Sequence, residues 1–148
     1  MTKLTFYGGV KEIGGNKILL EHEGTRVFFD FGAGFSRGEE FYTDYLRPRS
    51  VNGIGDYLEF GLLPAIKGLY SKEMLANTPL KYAKPAFDAV FLTHAHFDHV
   101  MDIGFIDGKI PVHCGKTTKT IMEAMEETGN TDYGRHDYKT FRTGDRIK

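Results

Sequence analysis

At 148 residues the chain is long enough for one ordinary domain with a real core, and 41% hydrophobic with 26% charged residues is normal for a soluble globular protein. A net charge of −1 excludes the basic footprint of a stand-alone nucleic-acid-binding domain, although a bound metal pair would still supply local positive charge. One cysteine, Cys114, excludes an internal disulfide; no apolar run approaches a membrane span or a signal peptide, so the expectation is a cytoplasmic protein with no membrane partner.

The start reads as strands. Residues 4–7 are short, apolar and aromatic, and Gly8 and Gly9 end them. Residues 10–15 form a glycine-bounded turn. A second strand is expected over Lys17–His22 and a third over 26–31, with Glu23 and Gly24 as the hairpin turn between them. Residues 32–86 read as a long insertion, irregular to about residue 50. Within it, 57–70 has apolar spacing compatible with a helix, weakened by Gly61 and Pro64. Residues 87–93 form a strand, apolar enough at its end to be buried on both faces. A short helix over 100–106, a strand over 110–114 and a helix over 116–128 follow. The last helix has Ile121, Met122 and Met125 on one side, with Gly129 and Asn130 ending it. From 138 onward a strand, a turn at residues 143–145 and the beginning of another strand are expected.

Four candidate metal ligands fall within six residues, His94-Ala95-His96-Phe97-Asp98-His99, directly after the buried strand. Open α/β sheets place ligand sites at that end of a strand. Side chains alternate on an extended segment, so His94 and His96 point the same way and can share one ion. Asp98 and His99 follow the turn and can serve a second. Imidazole with carboxylate suits zinc, with manganese or iron as alternatives, and two close metals activate a water and stabilise the oxyanion of its attack.

The run Thr93-His94-Ala95-His96-Phe97-Asp98-His99 resembles the metal motif of the metallo-β-lactamase fold superfamily. Asp30, ending its strand, resembles the aspartate that supports the metal site there. Residues 8–16 (GGVKEIGGN) are similar to the opening of the ribonuclease J and β-CASP branch. The resemblance implies an α/β fold, the N-terminal half of an αββα sandwich with a mixed β-sheet flanked by helices. It implies that His94 and His96 bind one metal and Asp98 and His99 the second, that Asp98 orients the attacking water, and that Glu12 and Asn16 lie near the site. It also implies three further ligands, which in the family lie beyond residue 148. His113, in a strand, and His136, in a polar turn, are poor substitutes. The chain 1–148 is thus expected to be one truncated domain. Its open sheet face would be covered by a missing C-terminal half or by a second copy in a homo-oligomer.

The other residues carry less. Cys114 is expected to be a small buried side chain and His22 to face solvent. Arg47 and Arg49 could meet substrate phosphates, with a solvated loop as the blander reading. Phe41, Tyr42 and Tyr45 could stack on bases, with packing of the insertion as the alternative. The function expected is a zinc-dependent phosphodiesterase or ribonuclease in RNA processing, with RNA as substrate. The alternatives are a metallo-hydrolase of small esters or thioesters, and a catalytically incomplete binding module.

Overall fold

The computed structural model describes residues 1–36, 38–129 and 131–147. Six strands form one sheet in the order β1-β2-β3-β4-β5-β6. The strands are β1 Thr2–Gly8, β2 Lys17–His22, β3 Thr25–Phe29, β4 Ala89–Leu92, β5 Val112–Gly115 and β6 Tyr138–Phe141. The first three are antiparallel neighbours, and β3 to β6 run parallel. This is the α/β, mixed-sheet half-sandwich that the sequence led us to expect, with few helices. The helices are α1 Gly55–Glu59, α2 Phe97–Val100 and α3 Lys116–Glu127. Among the described residues no helix is long and apolar enough to cross a membrane.

The hairpin between β2 and β3 turns on Glu23 and Gly24, at φ 48° and 87°. Two successive positive φ values match the right-handed twist of the flanking strands. Side-chain alternation then separates the two faces of the sheet. One presents Leu19, Phe28, Val90, Leu92, Val112 and Cys114, all buried. Phe31 meets Phe28 edge-on at 5.4 Å between ring centroids, and α3 closes this side against β5 and β6 through Met122. Met125 is partly buried there, but Ile121 points outward, so the apolar stripe of α3 is narrower than its sequence suggests.

The opposite face carries Phe6, Ile18, Phe29 and Phe91 in one cross-strand row and Leu4, Leu20 and Val27 in the next. Leu4 and Phe6 are each 55% exposed, and the rest of both rows is only partly buried. The two rows thus form an apolar sheet face that is largely open.

Several boundaries differ from the sequence expectation, each for a local reason. The helix expected over 57–70 is replaced by the short α1. The chain turns at Gly61, φ 67°, and Pro64 removes a donor, so the helix cannot propagate. The strand expected to reach Phe31 stops at Phe29, because Asp30 adopts φ 58°. The helix expected over 100–106 begins earlier as α2 and continues as a tight 3-10 turn, Met101–Phe105. After β6 the chain turns at residues 143 and 144 as expected, but residues 145–147 form no strand. The expectation for Asn130 and Lys148 falls outside the described residues.

The long segment 32–86 is mostly irregular yet well anchored. It sends Ile54, Leu63, Leu69, Tyr70 and Leu75 into the core. Its polar anchor is Asp56, which accepts from the Arg49 backbone at 2.8 Å and from the Arg49 guanidinium. Arg49 is therefore tied within the segment itself, and Arg47 donates to the carbonyls of Asp44 and Leu46. Phe41 stacks on Phe60 at 4.4 Å, which makes it packing, whereas Tyr45 is exposed.

Two outcomes follow. Phe28→Ala is expected to destabilise the 148-residue chain by about 3–5 kcal/mol in denaturant titration, and Leu4→Ser on the open face by less than about 1 kcal/mol. The second concerns pH. The guanidinium and then the backbone of Arg49 hold the Asp56 carboxyl well below the usual carboxylate range. A depressed carboxylate stabilises fully above its unfolded value of about 3.9 and loses that contribution as pH falls below it. Asp56→Asn should therefore lower the melting temperature at pH 7, and the gap from wild type should close as melts are repeated below about pH 4.

Candidate metal centre

The site forms where three connections meet at one end of the sheet, after β1, after β3 and after β4. Asp30 ends β3 in the left-handed region, an uncommon conformation that aspartate tolerates better than most residues. That turn points its carboxylate across to β4. The group is buried, with the whole residue 4% exposed. It accepts from the Thr93 backbone N–H at 2.8 Å and from the Thr93 hydroxyl at 2.9 Å. Nδ1 of His99 lies 2.8 Å from Oδ2, the oxygen that the hydroxyl reaches, while the backbone N–H holds Oδ1. Burying a carboxylate is costly unless its lone pairs are used, and here both oxygens have donors.

This bond settles the role of each His99 nitrogen. With Nδ1 donating to Asp30, Nε2 keeps its lone pair, and Asn16 Nδ2 approaches it at 3.2 Å. Asp98 Oδ2 lies 3.3 Å from the same Nε2. Two lone-pair groups facing one another at that distance repel, and a cation between them would relieve the repulsion. His94 and His96 complete the cluster. The His94 ring centroid is 4.4 Å from that of His96 and 4.1 Å from that of His99. His96 is extended, φ −70° and ψ 147°, and its carbonyl starts α2, which carries Asp98 and His99. Burial, then the neighbouring His99 and His96 rings, lower the His94 pKa below the usual histidine value, which favours the neutral, ligating form.

The backbone locks the connections together. Asn16 N–H donates to the Asp98 carbonyl at 3.0 Å, Phe31 N–H to that of His99 at 2.8 Å, and Gly32 N–H to that of Asn16 at 3.1 Å. The approach is so close that a Cβ on Gly32 would lie 2.0 Å from the Asp98 carbonyl carbon. Only glycine fits there. Behind this crossing Lys17, buried on β2, pairs with buried Asp102 at 2.8 Å and donates to the Gly32 carbonyl. Sequence reading missed this pair. Its only trace was a lysine two positions before Leu19, on the same inward side of the strand.

His94, His96, Asp98, His99 and Asp30 thus come together, with Asn16 beside them. Glu12 lies on the same loop and accepts from the Gly9 N–H at 3.0 Å. The other histidines are engaged elsewhere. His113 stacks on Phe91 at 4.9 Å, and His136 Nε2 contacts the Ile103 carbonyl at 3.0 Å. His22 is exposed on the sheet edge, and Cys114 is buried, which raises its thiol pKa. Imidazole and carboxylate donors suit zinc in kind. Among the described residues, however, no group of three or more histidine, cysteine, aspartate or glutamate side chains is arranged to hold an ion by itself.

Comparison with known proteins agrees with this architecture. The family model for the metallo-beta-lactamase superfamily matches residues 10–147. A crystal structure of a protein of unknown function from Enterococcus faecalis V583 is similar over 99% of this chain, at 27% identity and a TM-score of 0.77. This chain covers 35% of that one, about a third of its length. The short form of human tRNase Z (ELAC1) aligns over 95% of this chain and 43% of its own, at 18% identity and a TM-score of 0.41. No curated protein matches. With the motif, the sheet and a family match across nearly its whole length, the chain belongs to the metallo-beta-lactamase superfamily.

Proposed function

We propose that this chain is the metal-binding part of a zinc-dependent hydrolase that cleaves phosphodiester bonds in RNA, of the ribonuclease J and β-CASP type. The observation that carries the reading is the contact of the 8–16 loop with the histidine motif. Asn16 bonds the backbone of Asp98 and touches the His99 ring, so the two sequence features behind the expectation form one structural unit. In this reading His94 and His96 hold one zinc, and Asp98 and His99 contribute to a second. Manganese or iron could replace zinc in such a donor set. The remaining ligands come from further residues of the full-length protein or from another chain.

Zinc would supply a Lewis acid that acidifies water and neutralises negative charge. The residues of the chain do the rest. Asp30 fixes the His99 ring and its tautomer, leaving Nε2 for the metal. Asp98 accepts a proton from the attacking water and orients it. The buried ion pair of Lys17 with Asp102 braces the crossing beneath. A small ester or thioester is the second reading, favoured by the net charge of −1. A substrate panel separates the two.

The full-length protein with zinc or manganese should cleave single-stranded RNA, and His96→Ala should lower the rate at least about 100-fold, since polarisation of the water and the phosphate depends on that ion. Equal cleavage by the variant would refute the assignment. Asp30→Ala should weaken zinc binding by about 10–100-fold in chelator competition, with the sheet intact by circular dichroism.

A further inference from the structure

A cavity of about 450 Å³ is lined by Gly8, Glu12 and Gly15 of the 8–16 loop and by Phe97 of the histidine motif. Its size suits part of a small organic ligand. Six aromatic side chains line it: Tyr7, Phe35, Tyr42, Tyr57, Phe97 and Phe105. They come from β1, the 32–86 segment and the α2 region, so the sheet, the long segment and the metal motif all contribute to one wall.

The cavity adjoins the candidate metal centre. Phe97 lies in the motif between His96 and Asp98 and stacks on Phe35 at 5.9 Å. Gly14 is wedged between the two regions, where a Cβ would lie 2.7 Å from the Asp98 Cβ and 2.9 Å from Phe35 Cδ2. A single backbone strand therefore separates Asp98 from the aromatic wall.

The charges on that wall decide what it accepts. Lys17 is its one cation among the described residues, and it is consumed by Asp102 at 2.8 Å. The other acidic side chains there are Glu12 and Glu39. A phosphate is disfavoured inside, and a neutral ring is not. Tyr42 contributes a ring to this wall. Burial, then the charge of Asp102, push the Tyr57 phenol up to about 12, so it stays protonated as a donor.

We propose that this cavity receives one neutral nucleobase of the substrate, next to the phosphodiester at the histidine cluster. The proposal rests on the RNA reading above and names the part of the RNA that this wall recognises. Aromatic walls stack on every base, so purines and pyrimidines both enter.

The test is calorimetric binding to the full-length, metal-loaded protein of AMP, UMP and ribose 5-phosphate, which share the phosphate and differ in the base. AMP and UMP should bind at least about tenfold more tightly than ribose 5-phosphate. Leu62→Trp, which fills the cavity from its lining, should bring that ratio to one without changing ribose 5-phosphate affinity. Tyr42→Leu, which removes a ring from the wall, should lower the ratio severalfold. A wild-type ratio near one, or an unchanged ratio in both variants when circular dichroism shows them folded, overturns the proposal. RNA cleavage with a ratio near one refutes the base site and leaves the nuclease reading standing. A high ratio without RNA cleavage does the reverse.

Discussion

The arrangement of the site depends on one buried carboxylate. Asp30 spends an uncommon left-handed backbone conformation to end β3 and turn inward, and it then joins β4 to α2 through Thr93 and His99. Backbone hydrogen bonds from Asn16, Phe31 and Gly32 hold the connections together, and the Asp30 carboxylate, with a backbone donor, a hydroxyl donor and a ring contact, sets the His99 ring among them. The position of His99, and through α2 that of Asp98, follows from it.

The rest of the fold serves that crossing. Parallel β3 and β4 bring their C-terminal ends to one edge, where their connections can meet, and the antiparallel β1–β2 pair brings the 8–16 loop to the same place. Gly32 lets its backbone touch that of Asp98 and His99, and Gly14 leaves room for the side chains of Asp98 and Phe35. The buried Lys17–Asp102 pair braces this crowded region at an electrostatic cost that a purely structural core would avoid. Retaining such a pair beneath a cluster of histidines is what a site under positional constraint would require. The two sheet faces differ, one burying the core and the other lying largely open.

Much of this was legible in the sequence, for reasons that differ by residue. The hairpin at Glu23 and Gly24, the strand Lys17–His22 and helix α3 were readable because local periodicity and turn chemistry determine them. The convergence of His94, His96, Asp98 and His99 was readable because six residues at a strand end cannot separate far. Asp30 was readable only through resemblance, since nothing in its neighbours announces that it faces His99 across 69 positions. The helix expected over 57–70 failed because Gly61 and the pull of Tyr70 toward Ile106 outweighed apolar spacing. Lys17, Asp102 and the aromatic cavity were illegible, because they are assembled from segments far apart in the chain, and no local pattern reports a long-range pairing.

The central claim is that the Asp30-anchored cluster is a metal centre. Anomalous diffraction from crystals of the full-length protein grown with zinc tests it most directly. The account predicts one zinc peak within bonding distance, about 2.0–2.2 Å, of His94 and His96, and a second at Asp98 and His99, with Nδ1 of His99 still on Asp30. Zinc bound elsewhere, with the four side chains unliganded in fully loaded crystals, would contradict it.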